Sequence, residues 1–518
     1  MTMTRAQRTY GYFDKEALQT GLKKKAIQGG GAMLFSRTLS LGIQVLSTVI
    51  LARLLTPGDF GLVTMVTAFS LLFFNVGING FREAIIQKEE ITHRQLSSVF
   101  WIGLGISTCL ALLFSACSPL LARFYKEPRL ISIAIVLSIG FIFSALATEH
   151  TALIMRTMQF KKLMINEIVA SLLSTGLAIG MAYRGFGYWA IVARHLSYPI
   201  LSTLCAWLQC PWRPGWPARD PEVWRILKFA SKTFGIFLIN YFGRNLDKIL
   251  IGRKWGKQEL GNYDRAYYLF VTPASQLVDP LTGVALSTLS RLNKDPERYE
   301  QYFIKALSLI SLIGMLVSVI MTVGGRDIVL FLLGPQWQKT GTIFSALGPA
   351  IGMTVVYGTI GWLHLSQGNP GRWLRWGLIA FVFNALSILA GLRFGALGVA
   401  IAYSLSLYVL TWPGIRYAAK PMGIRMGHIW KAIWRLYAAA VLSGVAVWLI
   451  AFKLRAGQAF MANAHLLLRL GILATSCTLL YLGAVVVLFG RIGPLLDMWT
   501  ILRTMIPARG ARKPAGCD

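Results

Sequence analysis

Acidic residues are scarce in this chain. Its 518 residues hold 21 Asp and Glu against 52 Lys and Arg, and charged side chains of all kinds come to only 14%. A soluble globular surface takes roughly 25% charge. A soluble enzyme, a fibre and a disordered tail are therefore excluded, and much of the surface must face lipid. Cysteine is also sparse. The six (Cys109, Cys117, Cys205, Cys210, Cys477 and Cys517) form no CxxC pair and none has a His at metal spacing, so no metal site is indicated and they read as small packing residues. Nor does the start read as a signal peptide, because about thirty polar, basic residues, Lys23-Lys24-Lys25 among them, precede the first apolar run.

Apolar sequence is what the chain has in abundance: 55% of residues are hydrophobic, and the mean hydropathy is +0.57. Windows of about 20 apolar residues, enough to span a bilayer, number about fourteen. They fall near 32–52, 61–81, 97–121, 131–153, 165–183, 188–208, 230–251, 262–289, 304–324, 342–365, 373–391, 396–415, 432–452 and 467–489. The expected fold is an all-α polytopic membrane protein. With the N-terminus cytoplasmic, the alternating segments between windows carry 32 Lys and Arg inside and 13 outside, which implies that both termini are cytoplasmic. Most of the +31 net charge is thereby accounted for without nucleic acid. No outside loop exceeds about fifteen residues, which leaves no room for an external domain.

The chain also resembles itself at an offset of 200 residues. Leu51-Ala52-Arg53-Leu54-Leu55-Thr56-Pro57-Gly58-Asp59-Phe60-Gly61 aligns with Ile251-Gly252-Arg253-Lys254-Trp255-Gly256-Lys257-Gln258-Glu259-Leu260-Gly261, and Ser36-Arg37-Thr38 echoes Ser231-Lys232-Thr233. Windows one to six thus recur as seven to twelve. An even-numbered unit repeats with the same topology, so the two copies should be related by a pseudo-two-fold axis along the membrane normal, as in parallel-repeat transporters. The expected organisation is a basic tail (1–29), a six-helix bundle (30–210), a linker (211–228), a second six-helix bundle (229–416), two additional helices (417–490) and a second tail (491–518).

Charges inside a span are unfavourable by roughly 2.5–3.5 kcal/mol each, so they mark cavities or partners. The cations inside or beside windows are Arg37, Arg194, Lys232, Arg244, Lys248, Arg265 and Arg469, with His195 next to Arg194; the acids are Glu149, Glu167, Asp247, Asp264 and Asp279. In the seventh window Asn240, Arg244, Asp247 and Lys248 share one helical face, a stripe that implies water rather than lipid beside it. Two cations flank one acid there, which suits phosphate oxygens better than an amine. Arg37 faces a cavity or snorkels to the interface. Arg194 and Arg469 read as interfacial or helix-pairing. Arg53 and Arg253 read as loop anchors or ligand contacts.

These residues carry a resemblance. Phe35–Gly61, Gln87–Phe100, Arg156–Leu163 and Tyr241–Gly252 look like the corresponding stretches of the polysaccharide-biosynthesis flippases of the multidrug/oligosaccharidyl-lipid/polysaccharide exporter superfamily, most like the colanic-acid/exopolysaccharide branch. The similarity covers roughly 30–420 and is weaker over the last two helices. It implies two six-helix bundles facing each other in a V. It also implies alternating-access flipping of an undecaprenyl-pyrophosphate-linked oligosaccharide across a bacterial inner membrane, with membrane lipids and a polysaccharide polymerase complex as partners. In such a protein Arg37, Arg244, Lys248 and Arg265, with Arg53 and Asn240, would hold the pyrophosphate and sugars. No cofactor is implied beyond coupling to H+ or Na+, for which Asp247 is the candidate acid; an ion pair with Arg244 or Lys248 is its plainer reading. Trp189, Tyr241, Tyr263, Tyr267 and Tyr268 read either as sugar-stacking faces or as packing.

Two rivals stay open. A membrane polymerase or glycosyltransferase would want a large outer loop or convergent acids, and no Ser/His/Asp set or phosphate-binding Gly loop is evident. A small-molecule exporter of the same superfamily would want carboxylates where this chain has cations.

Overall fold

Local chemistry sets where the helices begin. In a computed structural model of the protein, the Thr92 hydroxyl accepts from the Gln95 N–H (3.2 Å) while the Gln95 side chain accepts from the Thr92 N–H (3.3 Å), a reciprocal cap at the start of a helix at His93. Thr56 and Asp59 exchange the same pair of bonds around Pro57, the first residue of another helix. Asp295 caps a third, again with proline first. Residues 22–78, 82, 85–86, 88, 90–217 and 221–490 are described, and the side chains of Arg37, Lys232, Asn240 and Arg244 lie outside the described ones.

The helices are α1 (Leu22–Leu54), α2 (Pro57–Ile78), α3 (His93–Ala116), α4 (Ser118–Tyr125), α5 (Leu130–Arg156), α6 (Phe160–Tyr183), α7 (Tyr188–Gln209), α8 (Pro221–Arg291), α9 (Pro296–Val323), α10 (Gly325–Leu333), α11 (Gln338–Ser366), α12 (Pro370–Gly391), α13 (Gly395–Ala419), α14 (Met426–Phe452), α15 (Arg455–Asn463) and α16 (Leu466–Phe489). No strand occurs among the described residues. Taking the two arms of α8 separately, a long helix stands at each of the fourteen apolar windows. Nine stretches of described residues are long and apolar enough to cross a membrane by length and composition.

The described residues form two compact units. One runs to Arg265 and takes in Leu332–Trp337 and Leu392–Val399; the other holds Ala266–Phe331, Gln338–Gly391 and the residues from Ala400. In the first unit α7 packs on α5 and α6, and α3 on α5. Leu96, Val99, Phe100, Leu153 and Trp212 form a buried core there. In the second, α9 packs on α11 and α14, and α14 on α16, around Leu307, Met315, Val355, Leu363, Leu436 and Tyr481.

The appended helix α16 is tied to the second unit by charge as well as by packing. Arg469 donates through Nη2 to both oxygens of Asp327 on α10 (2.7 and 2.8 Å), and Asp327 is 4% exposed. Of the two readings of Arg469, helix pairing is the one the structure realises. Removing one member of a buried pair strands the other. Arg469→Ala is therefore expected to destabilise the protein by about 3 kcal/mol, and Arg469→Met with Asp327→Leu to recover most of the loss. Thermal unfolding of the detergent-solubilised protein checks both, and a melting temperature unchanged in the single variant would remove the pair from the account.

The first unit contains a reciprocal crossing. A Cβ on Gly61 would overlap the Lys257 carbonyl, and one on Gly261 would overlap the Pro57 carbonyl. Gly61 and Gly261 are 200 residues apart, and so are Pro57 and Lys257. The offset seen in the sequence is thus the relation between the two halves of this contact. Backbone meets backbone, and only glycine leaves the room.

Candidate functional site

The site is built on the hairpin of α8. The helix is interrupted at Gly256, whose φ of 79° and ψ of −175° fall in a region essentially reserved for glycine. The chain bends there, and the stretches on either side of the bend within the first unit, 247–255 and 257–265, form its two arms. Trp255 fixes the bend by donating its indole N–H to the Leu392 carbonyl (2.8 Å). Residues about sixteen apart in sequence consequently face each other across the hairpin.

Four charged groups converge there. Lys248, on the first arm, places its ammonium 2.8 Å from Oδ1 of Asp264 on the second. Arg265 holds the other carboxylate oxygen of Asp264 through Nη2 (2.5 Å) and Nε (3.2 Å). Asp247 accepts from the Tyr263 hydroxyl (2.7 Å) and from the backbone N–H of Lys248 (2.8 Å). Both acids are buried, Asp247 at 4% and Asp264 at 5% exposure. The Arg265 guanidinium also lies over the Phe60 ring, 4.6 Å from its centroid. Phe60 in turn meets Trp337 edge to face, and Trp337 donates to the Ala52 carbonyl.

Of the residues expected to form the site, Asp247, Lys248 and Arg265 are brought together. Arg53 is exposed and donates to the Leu332 carbonyl (3.3 Å), which fits a loop anchor. Arg37, Asn240 and Arg244 fall outside the described side chains. Asp264 is the residue the sequence reading left out of the site. The ammonium of Lys248 lies 2.8 Å from it, so among the described side chains two cations stand with two acids here. Its signal was present as an acid in the eighth apolar window. Tyr263 and Tyr241 are buried in packing, the latter donating to the Ala68 carbonyl (2.8 Å), so neither offers a stacking face.

A separate ion cluster lies beyond the spans, where Glu127 accepts from Arg129 (2.8 and 2.9 Å) and from Lys257 (3.0 Å). Burial pushes the Glu127 carboxyl up, but the Arg129 and Lys257 bonds outweigh it and hold the group below its ordinary range. A carboxyl depressed on folding adds stability that is present above its unfolded pKa and lost as pH falls through the folded one. Glu127→Gln is expected to melt below wild type at neutral pH by about 0.5 kcal/mol, the size of a solvent-screened pair. The difference should close well below pH 4.5, as melting curves across pH would show; a gap that persists in acid would mean the lost contact is not ionic.

A family model described as polysaccharide biosynthesis protein matches residues 50–341, a stretch that contains Arg53, Asp247, Lys248, Asp264 and Arg265. The chain is similar to the lipopolysaccharide biosynthesis protein WzxC of Escherichia coli (strain K12), 24% identical over 389 residues, which is 74% of this chain and 79% of that one. It is similar also to the succinoglycan biosynthesis transport protein ExoT of Rhizobium meliloti (strain 1021), 24% identical over 404 residues, 76% of this chain and 79% of that one. Among solved structures it is similar to the lipid II flippase MurJ in an inward closed conformation, with a TM-score of 0.70 at 16% identity over 89% of this chain and 99% of that chain. That likeness speaks to the fold, an all-α polytopic membrane protein.

Proposed function

The chain belongs to the polysaccharide biosynthesis protein family, and from that premise we propose that it is a flippase. Its cargo is an undecaprenyl-pyrophosphate-linked oligosaccharide, the repeat unit of a polysaccharide, carried from the inner to the outer leaflet of a bacterial inner membrane. The termini are cytoplasmic, and the bundles over 30–210 and 229–416 alternate access to the two sides. A polysaccharide polymerase receives the product.

The observation that supports this most is the pair of cations converging from the two arms of one hairpin. Lys248 and Arg265 keep 20% and 17% of their side chains exposed, so both can meet a ligand. A guanidinium with a neighbouring ammonium matches the oxygens of a phosphate. Arg37, Asn240, Arg244 and Arg53 complete the proposed binding set, and Asp247 is the candidate for coupling to H+ or Na+. The similarity to ExoT, a succinoglycan biosynthesis transport protein, favours a carrier over a polymerase. With the cell interior negative, moving one negative charge outward gains about 2.3 kcal/mol per 100 mV, so export of an anionic head group is assisted.

The test is reconstitution in vesicles with a fluorescent lipid-pyrophosphate-oligosaccharide placed in one leaflet. Protein-dependent appearance in the opposite leaflet is the expected result. Correctly inserted, folded protein that moves none of the lipid would overturn the reading.

A further inference from the structure

We propose that Asp264 is a displaceable internal anion, holding Lys248 and Arg265 together until phosphate oxygens of the cargo take its place. The proposal rests on the flippase reading above and deepens it. The carboxylate of Asp264 offers one oxygen to each cation, at 2.8 Å to Lys248 and 2.5 Å to Arg265. A phosphate presents two oxygens to an ammonium and a guanidinium in the same way.

The two acids of the cluster differ in how they are held. Asp247 is fixed by a backbone N–H and a tyrosine hydroxyl, neither of which has to move when a ligand arrives. Asp264 is held by the two cations themselves. Whatever draws Lys248 and Arg265 away therefore releases Asp264, and leaves Asp247 in place.

Exposure points the same way. The side chain of Asp264 is 7% exposed, against 20% for Lys248 and 17% for Arg265, so an approaching anion meets the cations before the acid. Of the four described groups, two are cations and two are acids. A phosphate added with Asp264 still seated would put a second anion beside a buried carboxylate, and like charges so close repel strongly in a partly dry site. Exchange, with Asp264 leaving as phosphate arrives, avoids that repulsion. When the cargo departs, the carboxylate returns and the cations are never left bare. Asp264 is in this sense a positioning residue that weakens resting affinity and helps release.

The experiment compares wild type, Asp264→Asn and Asp264→Glu as full chains in lipid nanodiscs, using two probes: inorganic pyrophosphate and a lipid-linked pyrophosphate oligosaccharide. With the competitor removed, Asp264→Asn is expected to bind both probes about tenfold tighter or more, and in vesicles to flip the lipid more slowly because release is hindered. Asp264→Glu, which keeps the anion, should bind like wild type. Tighter binding of the lipid-linked probe alone would still support exchange and would place the recognised phosphate in the lipid head group. Tighter binding of inorganic pyrophosphate alone would support it for free phosphate. Asp264→Asn that melts like wild type and binds neither probe more tightly would overturn the proposal. So would failure of Asp264→Asn and of Asp264→Ser to fold, because an acid the fold cannot lose is not one a ligand displaces. Wild type that neither binds nor flips the lipid would sink the flippase reading itself, whereas wild type that flips normally beside an Asn variant of unchanged affinity sinks only the role of Asp264.

Discussion

Lys248→Ala and Arg265→Ala are each expected to slow lipid flipping by roughly 30- to 150-fold while the protein inserts at normal levels. The magnitude follows from the loss of one charge-assisted hydrogen bond to phosphate, about 2–3 kcal/mol. Each change also leaves Asp264 with a single cation, so the carboxylate competes less effectively but the anion gains less on arrival; the second effect is the larger because the phosphate carries more charge. Arg265→Lys separates charge from shape. It keeps the positive charge and gives up the planar fork and the face over Phe60, so an intermediate rate is expected. Arg244→Ala, from the same helical stripe, should behave like Lys248→Ala. The readout is the initial rate of fluorescent lipid transfer, normalised to inserted protein. Wild-type rates in both Lys248→Ala and Arg265→Ala would remove the cluster from the binding role.

The second large effect is expected from a single added methyl group. Gly61→Ala and Gly261→Ala each push a Cβ into the backbone carbonyl of Lys257 or Pro57. No rotamer change relieves a collision with main chain, so one helix must shift, and overpacking of this kind destabilises by about 3 kcal/mol. Gly176→Ala is the matched control. Gly176 lies in the helix α6 with nothing within 4 Å of the added carbon, where Ala should be neutral or stabilising by about 0.5 kcal/mol. Melting temperatures of the three variants decide the matter: equal values would mean that the crossing at Gly61 and Gly261 has room for a methyl group.

The two expectations differ in how far the sequence foretold them. Arg53, Gly61, Arg253 and Gly261 stood out as a repeat, and the spacing of 200 residues predicted that their surroundings would correspond. It did not say that the two copies would touch each other, each glycine admitting the other copy's carbonyl. Likewise, the 3.6-residue period put Asn240, Arg244, Asp247 and Lys248 on one stripe and left an ion pair of Asp247 with Arg244 or Lys248 as one reading. The structure sets Asp264 against the lysine, and a helical period describes a single helix and is silent about what a second arm brings to that face. Arg469 is a comparable case. Its place in an apolar window showed that a partner or an interface was required, and Asp327, 142 residues earlier, could not be selected from the sequence.

By itself, then, the sequence determined the class and the segmentation. Apolar length fixes how many helices can span, and scarce charge fixes that much of the surface faces lipid, both of them properties of composition and of contiguous residues. The tertiary structure decided which charges meet. The bend at Gly256 sets the register between two arms of α8, and that register alone brings Asp264 to Lys248 and Tyr263 to Asp247. Burial then makes those pairings matter, since a charge removed from water is tolerable only with its partner at hydrogen-bond distance.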